Sequence, residues 1–350
     1  MSTAATPAEP AKSPAERALA AVPVILTVMA TILAGLSSSE MTQSMYYRSL
    51  AAQNQAKAGS QWAFFQAKRI RGTTMETSGD LIRALAETPP LDAVRLRAGI
   101  ERIESAARRV GDSQAVADAA NRLRQILSRD SVRQSLRYLG GPDLPPVTVN
   151  RTEDEQIQAL VNAVENRQTE PQTAALIAQV RTARIAGELQ RSEQNAEAFD
   201  MACKPVVNDL RSIEKAAGEL ASEVRGRITA LGSEHEKRAA FDEANVAVKE
   251  MLTAVRAAKQ DFTARRYAKE AEYNQESAEL YEVLARRSGW DSDRHRGRSR
   301  NFFYAMLCAQ AGVTVSAFAL ARSRKSLFWA VAGFAGVLAI SFGTYVYLAL

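Results

Sequence analysis

The chain has 350 residues, of which 46% are hydrophobic and 24% charged, and its formal net charge is +6 at pH 7. This share of apolar residues excludes a disordered chain, and 18 glycines with two cysteines exclude collagen-like and disulfide-rich proteins. Two histidines and two cysteines are too few ligands for a zinc, iron–sulfur or haem centre, so we expect no metal and no cofactor.

Three segments without a charged residue are long enough to cross a membrane: Ala18–Leu36, Phe302–Ala321 and Leu327–Leu350. A spanning helix needs about 20 apolar residues at a rise of about 1.5 Å each. The alternative for the first segment is a cleaved signal peptide, but its apolar region would have only about 7–15 residues, so we interpret the segment as a retained anchor. A capping box at Ser13 predicts that this helix begins at Pro14.

The region between the first two spans favours helix, because Ala, Gln, Glu, Arg and Leu dominate it. Breaks are predicted at residues 88–90, which contain two prolines, and at the Gly/Pro-rich residues 140–146. Capping boxes that begin at Thr152 and Thr169 predict helices from about residues 153 and 170.

Apolar residues further along the chain recur at alternating intervals of four and three, as in a coiled coil. They are Phe199, Cys203, Val206, Leu210, Ile213, Ala217, Leu220 and Val224. A second stripe contains Phe241, Val248, Leu252, Val255 and Phe262. Together they predict an antiparallel helical hairpin over 171–288, with a kink or restart at Pro205. Such stripes are more often a core within one chain than a seam between chains, and both alternatives stay open, since periodicity does not identify the partner helix.

The predicted fold is an all-α membrane protein with three transmembrane helices and a large helical, coiled-coil-like extramembrane domain. Its segments are a disordered tail (1–17), the first span (18–36), a helical juxtamembrane region (37–139), a Gly/Pro linker (140–150), the helical hairpin (151–290), an arginine-rich strip (291–301), the second span (302–321), a basic turn (322–326) and the third span (327–350).

The sequence carries no motif for nucleotide binding, zinc proteolysis, dithiol redox chemistry or a nucleophilic serine, and we predict that it is not an enzyme. We expect His295 to be a bystander among arginines. The spans lack ionisable residues, which argues against a transporter. They contain small residues at intervals of four, such as Gly312 and Ser316, which permit close helix packing either within one chain or between chains.

Basic residues lie close to the predicted membrane boundaries. The candidates for contact with anionic lipid are Arg294, Arg296, Arg298, Arg300, Arg322, Arg324 and Lys325. A basic strip beside a cytoplasmic leaflet gains about 1 kcal/mol per residue from anionic lipid. Nucleic-acid binding is disfavoured, because no nucleic-acid motif accompanies these residues. Counting positive charges does not decide which side of the membrane holds the large domain.

Trp62, Phe65 and Arg69 share one helical face within the run QWAFFQAKRIR, and we select them as a candidate interaction site. This run, with the span before it and the two-span hairpin at the C-terminus, resembles a bacterial membrane-protein family, number 4337 among the domains of unknown function. The resemblance covers about residues 18–75 and 300–350. It implies an architecture, and it brings no activity with it.

These features together predict a non-enzymatic, membrane-anchored helical scaffold, sensor or accessory subunit that self-associates. The alternative is a subunit of an oligomeric channel or a membrane-active effector. The expected location is the bacterial inner membrane, with several spans per chain. The expected partners are membrane lipid, further copies of the chain and a protein that the sequence does not identify.

Overall fold

The computed structural model describes residues 14–86, 91–110, 114–147, 154–166, 170–230, 235–321 and 326–349. All regular secondary structure in these ranges is α-helical, which confirms the all-α prediction. The helices are α1 (Pro14–Ala86), α2 (Ala93–Val110), α3 (Gln114–Ser128), α4 (Asp130–Gly140), α5 (Glu155–Glu165), α6 (Glu170–Gln179), α7 (Thr182–Ala230), α8 (His235–Ala321) and α9 (Ser326–Ala349). Most of the predicted tail, residues 1–13, lies outside the described ranges.

The helix ends follow the local signals in the sequence. Helix α1 begins at Pro14 and α6 at Glu170, as their capping boxes predict. Helix α5 begins at Glu155, slightly later than predicted, because Asp154 provides the cap. Its carboxylate accepts hydrogen bonds from the backbone N–H groups of Gln156, at 3.1 Å, and Ile157, at 3.4 Å. The predicted cap Thr152 lies outside the described residues.

Three helices, α1, α8 and α9, are long and apolar enough to cross a membrane. The chain divides into two compact units, which we describe separately. Unit 1 comprises Met1–Gln55 and Leu284–Leu350, and unit 2 comprises Ala56–Val283. The candidate membrane segments of all three helices belong to unit 1.

The apolar stripe of α7 is buried inside unit 2. All eight stripe residues from Phe199 to Val224 belong to one continuous core. This core also contains Phe241 and Phe262 of α8 and apolar residues of α2, α3 and α4. Helix α7 packs directly against α3 and α4. The stripe is therefore an intramolecular core, and the alternative of a seam between chains is not needed to explain its periodicity.

Helix α7 does not restart at Pro205, which was one of the two predicted alternatives, because the helix is continuous from Thr182 to Ala230. Proline removes one backbone N–H and crowds the preceding turn. Pro205 is exposed, while its neighbours Cys203 and Val206 are buried. The apolar packing on both sides of the proline therefore holds the helix in place.

The apolar segments of α1, α8 and α9 pack on one another in unit 1. Their shared core includes Ala30, Leu33, Phe302, Ala305, Ala309, Ala339 and Val346. The side chain of Leu26 packs against two glycines at this contact. A Cβ added at Gly312 would lie 3.0 Å from Leu26 Cδ1, and one added at Gly336 would lie 3.3 Å from Leu26 Cδ2. These small residues therefore serve contacts within the chain.

A testable consequence concerns Gly140, the last residue of α4. An added Cβ there would overlap the backbone carbonyl oxygen of Leu91, which cannot move as a side chain can. We expect Gly140→Ala to lower the free energy of unfolding by about 2 kcal/mol, measured by denaturant titration in mild detergent.

The matched control is Gly187→Ala in α7. Gly187 is exposed and an added Cβ meets no atom within 4 Å. We expect this change to raise stability by about 0.5–1 kcal/mol, since alanine forms helix better than glycine. Equal effects of the two substitutions would contradict the close approach at Gly140.

Candidate functional site

The aromatic cluster of α1, defined as Trp62, Phe65 and Arg69, forms one continuous surface in unit 2. The rings of Trp62 and Phe65 meet edge to face, with centroids 5.5 Å apart. The guanidinium of Arg69 lies 6.0 Å from the Phe65 ring centroid, at the outer limit of a cation–π contact. The three residues selected from their spacing therefore lie together on one face of the helix.

Trp62 also ties α1 to α8. Its indole Nε1 donates a hydrogen bond of 2.7 Å to Glu282 Oε1. Lys57 Nζ, five residues earlier on α1, lies 5.4 Å from the ring centroid of Tyr281, which directly precedes Glu282 on α8. The role of Glu282 could not be predicted, because a contact between residues so distant in the chain leaves no periodic signal.

Lys68 of the same run makes a second connection to α8. Its ammonium forms an ion pair with Glu270 and lies 4.8 Å from the Tyr267 ring centroid. Arg266 also binds Glu270, at 2.6 Å, so two cations share one carboxylate. Phe64 points elsewhere and is 57% exposed. In this run, Trp62 and Lys68 therefore make contacts within the chain, whereas Phe64 lies on the surface.

A polar seam joins α1 and α8 in unit 1, beside the membrane segments. We define it as Ser37, Glu40, Ser44 and Tyr47 of α1 with Ser292, His295 and Ser299 of α8. The hydroxyls of Ser37 and Ser299 each donate to the backbone carbonyl of the other residue, at 3.0 and 2.8 Å. Ser292 donates to the carbonyl of Ser44 at 2.9 Å. Small side chains thus bring the two helices close enough for a hydroxyl to reach the opposite backbone.

His295 lies at the centre of this seam and is not the bystander that the sequence suggested. Its Nδ1 is 2.6 Å from Glu40 Oε2, and its ring stacks on Tyr47 at a centroid distance of 5.3 Å. Both side chains of this contact are largely shielded, since that of His295 is 16% exposed and that of Glu40 is 19% exposed. One sequence signal for this seam was available, namely the spacing by three and four residues of Ser37, Glu40, Ser44 and Tyr47. A search for apolar stripes does not find it, because most of these residues are polar.

The arginines selected for lipid contact differ in their surroundings. Arg294, Arg296 and Arg300 are exposed, whereas Arg298 is half-buried. Trp290 lies between Arg287 and Arg294, whose guanidinium carbons are 4.8 and 5.7 Å from its ring. The remaining candidates, Arg322, Arg324 and Lys325, lie outside the described residues.

An acidic cavity of about 580 Å³ lies in unit 2, between α5, α7 and α8. Its acidic lining consists of Asp154, Glu188, Glu272, Glu276 and Glu279. Burial, together with the neighbouring Glu165 and Glu276, raises the pKa of Glu279 to about 7, against a hydrogen bond from Gln275 Nε2 at 2.7 Å that favours the charged form. Glu279 of α8 and Glu165 of α5 thus form a hydrogen-bonded carboxyl pair.

No metal site emerges from the described ranges, and the thiol of Cys203 is shielded. They contain no group of three or more His, Cys, Asp or Glu side chains placed to hold a metal. Cys203 is completely buried in the unit 2 core, and this burial raises its pKa to about 11. The thiol is therefore protonated and shielded at physiological pH.

The hydrogen bond between Trp62 and Glu282 can be tested by a double-mutant cycle. Phenylalanine at 62 keeps an aromatic ring and removes the donor, and glutamine at 282 removes the charge. We expect Trp62→Phe and Glu282→Gln to show a coupling energy of about 1.5 kcal/mol in chemical unfolding, as for a hydrogen bond to a charged acceptor.

Phe64→Ala in the same run is the control, and its expected effect is within about 0.5 kcal/mol because Phe64 is on the surface. Additive effects of the changes at 62 and 282 would show that the hydrogen bond contributes nothing to stability.

The carboxyl pair predicts an unusual pH dependence. The native state keeps a proton on Glu279 up to about pH 7, whereas its ordinary pKa is 4.5. The native state therefore binds more protons between these values, and stability falls as the pH rises from about 4.5 to about 7. We expect Glu279→Gln to flatten this part of the curve in thermal unfolding measured across pH. Glu272→Gln, an exposed change in the same cavity, should leave the slope as it is; if both variants keep the slope, the pair is not its cause.

Comparison with known proteins finds a match to a family model. No curated protein and no solved structure matches the chain. The family model is described as Domain of unknown function (DUF4337), and it matches residues 15–138. The match extends well past residue 75, where the resemblance of the sequence was expected to end, and it does not include the C-terminal hairpin. The matched part, residues 15–138, contains the first apolar segment and the aromatic cluster, and it is similar to the DUF4337 family.

Proposed function

We propose that the protein is a non-enzymatic, membrane-anchored helical scaffold that acts as a sensor or accessory subunit in the bacterial inner membrane. The observation that carries this proposal is the antiparallel pairing of α1 and α8, each of which contains a candidate span. A scaffold needs long elements held in fixed register, and long-range polar contacts supply that register in each unit.

The pairing is supported separately in the two units. In unit 1 the register is marked by Ser37 with Ser299 and by Ser44 with Ser292. In unit 2 the contacts are Trp62 with Glu282, Lys68 with Glu270 and Arg83 with Asp261. In both sets the residue number rises along α1 as it falls along α8. Polar contacts of this kind specify one alignment of two helices more strictly than apolar contacts do.

Self-association is the second part of the proposal, and we assign it to the exposed apolar face of α1 in unit 1. The α7 stripe and the small residues of the spans are used within the chain, so neither supplies this contact. Met45 and Tyr46 are 65% and 64% exposed beside the polar seam. Exposed apolar side chains grouped on a helix are typical of protein contacts.

Cysteine cross-linking tests this face. The background variant is Cys308→Ala, while Cys203 stays because it is buried. We expect Met45→Cys to give a covalent dimer with a short bis-maleimide in native membranes, and Gln43→Cys to give little. Gln43 is exposed and lies at almost the same position along the helix axis as Met45, but on the opposite side of the helix. Only monomer of 38.1 kDa for both variants, with a monomer mass in light scattering, would refute self-association.

A further inference from the structure

Arg298 differs from its neighbours in the arginine-rich strip of α8. Arg294, Arg296 and Arg300 are exposed, but Arg298 is half-buried. Its Nε is shielded from solvent and finds no hydrogen-bond acceptor in the part of the chain that the structure describes. Since the chain itself shields Nε, an acceptor from outside the chain would contact the terminal nitrogens of this guanidinium, and the cost of burying a charged side chain favours such an acceptor.

The nearby carboxylates on the two helices are engaged elsewhere. Glu40 of α1 lies 2.6 Å from His295, and Asp291 of α8 lies 3.2 Å from Arg287 Nε. Asp293 is exposed and lies five residues before Arg298, which places it on a different face of α8. The positive charge of Arg298 is therefore directed to an acceptor that these carboxylates do not provide.

The position of Arg298 fits the headgroup layer of a membrane. It precedes the first residue of the apolar segment, Phe302, by four residues, which is about 6 Å along a helix. The headgroup layer occupies about 5–8 Å on each side of the hydrocarbon core. Arg294 lies one turn further out on the same face, at about 12 Å, within reach of a headgroup through its long side chain.

We propose that Arg298, assisted by Arg294, binds the phosphodiester of an anionic phospholipid in the leaflet that α8 enters at Phe302. The planar guanidinium presents paired N–H donors that match two phosphate oxygens. An anionic lipid is preferred because the ammonium of a zwitterionic headgroup would meet the positive field of the surrounding arginines. This site rests on the proposed membrane anchoring, and it assigns a specific role to one of the candidate basic residues.

Lipid-dependent stability of the full chain tests the site. The protein is solubilised in mild detergent and titrated with phosphatidylglycerol or phosphatidylcholine, and its thermal unfolding is followed. We expect phosphatidylglycerol to raise the unfolding midpoint more than phosphatidylcholine does. Arg298→Gln should weaken the apparent phosphatidylglycerol affinity about tenfold, as expected for the loss of charge-assisted hydrogen bonds.

The control is Arg286→Gln, an exposed arginine 16 residues before Phe302 and therefore about 24 Å away along the helix. It should keep the affinity of the natural sequence. Arg298→Lys keeps the charge but lacks the planar donors, so we expect an intermediate affinity. Its midpoint without added lipid checks that changes at 298 leave the fold intact.

Three outcomes would overturn the site: an unchanged affinity in Arg298→Gln, an equal loss in Arg286→Gln, or the same stabilisation by inorganic phosphate as by the lipid. The last would identify a soluble anion as the occupant. The Met45→Cys cross-link, measured in the Arg298→Gln background, separates this inference from the proposed scaffold. If the cross-linked dimer persists and the preference for phosphatidylglycerol is the same with and without Arg298, the lipid site is refuted and the proposed scaffold is not.

Discussion

The antiparallel contact between α1 and α8 is the interaction on which the other features depend. In unit 1 it creates the polar seam and aligns the two apolar segments against α9. In unit 2 it places Glu282 opposite Trp62 and Glu270 opposite Lys68. Each of these contacts joins residues more than 200 positions apart in the chain. Without this contact, side chains such as Trp62 and Lys68 would have no partner on α8.

The core of unit 2 and the polar seam of unit 1 are stabilised by different forces. The unit 2 core buries large apolar side chains such as Ile213, Leu220 and Phe262 completely, and the hydrophobic effect dominates there. The seam of unit 1 buries serine hydroxyls. Their transfer out of water contributes little stability, and each hydroxyl needs a hydrogen-bond partner once it is buried. Buried carboxylates in unit 2 follow the same rule: Glu104 is held at 2.5 and 2.6 Å by the two terminal nitrogens of Arg124.

Local sequence signals predicted most of the fold, because they act over one or two helical turns. Pro14, Glu170 and the three apolar segments follow from capping and length alone. The partner of the α7 stripe could not be predicted, since periodicity identifies a buried face and not the helices that cover it. For the same reason Trp62 was found without Glu282, and His295 was misread because its partner Glu40 is 255 positions away. The burial of Arg298 likewise depends on tertiary packing that the run of arginines does not encode.

The seam has a consequence for which substitutions the two helices can accept. Ser37 and Ser299 bond to each other's backbone, so the distance between the helices is set by the length of a hydroxymethyl group. Alanine or glycine at these positions would preserve that spacing, whereas threonine or any larger residue would push the helices apart. At these two positions, side-chain volume therefore restricts substitutions more than polarity does. Variation among related chains should be confined there to the smallest side chains, even where the hydroxyl itself is lost.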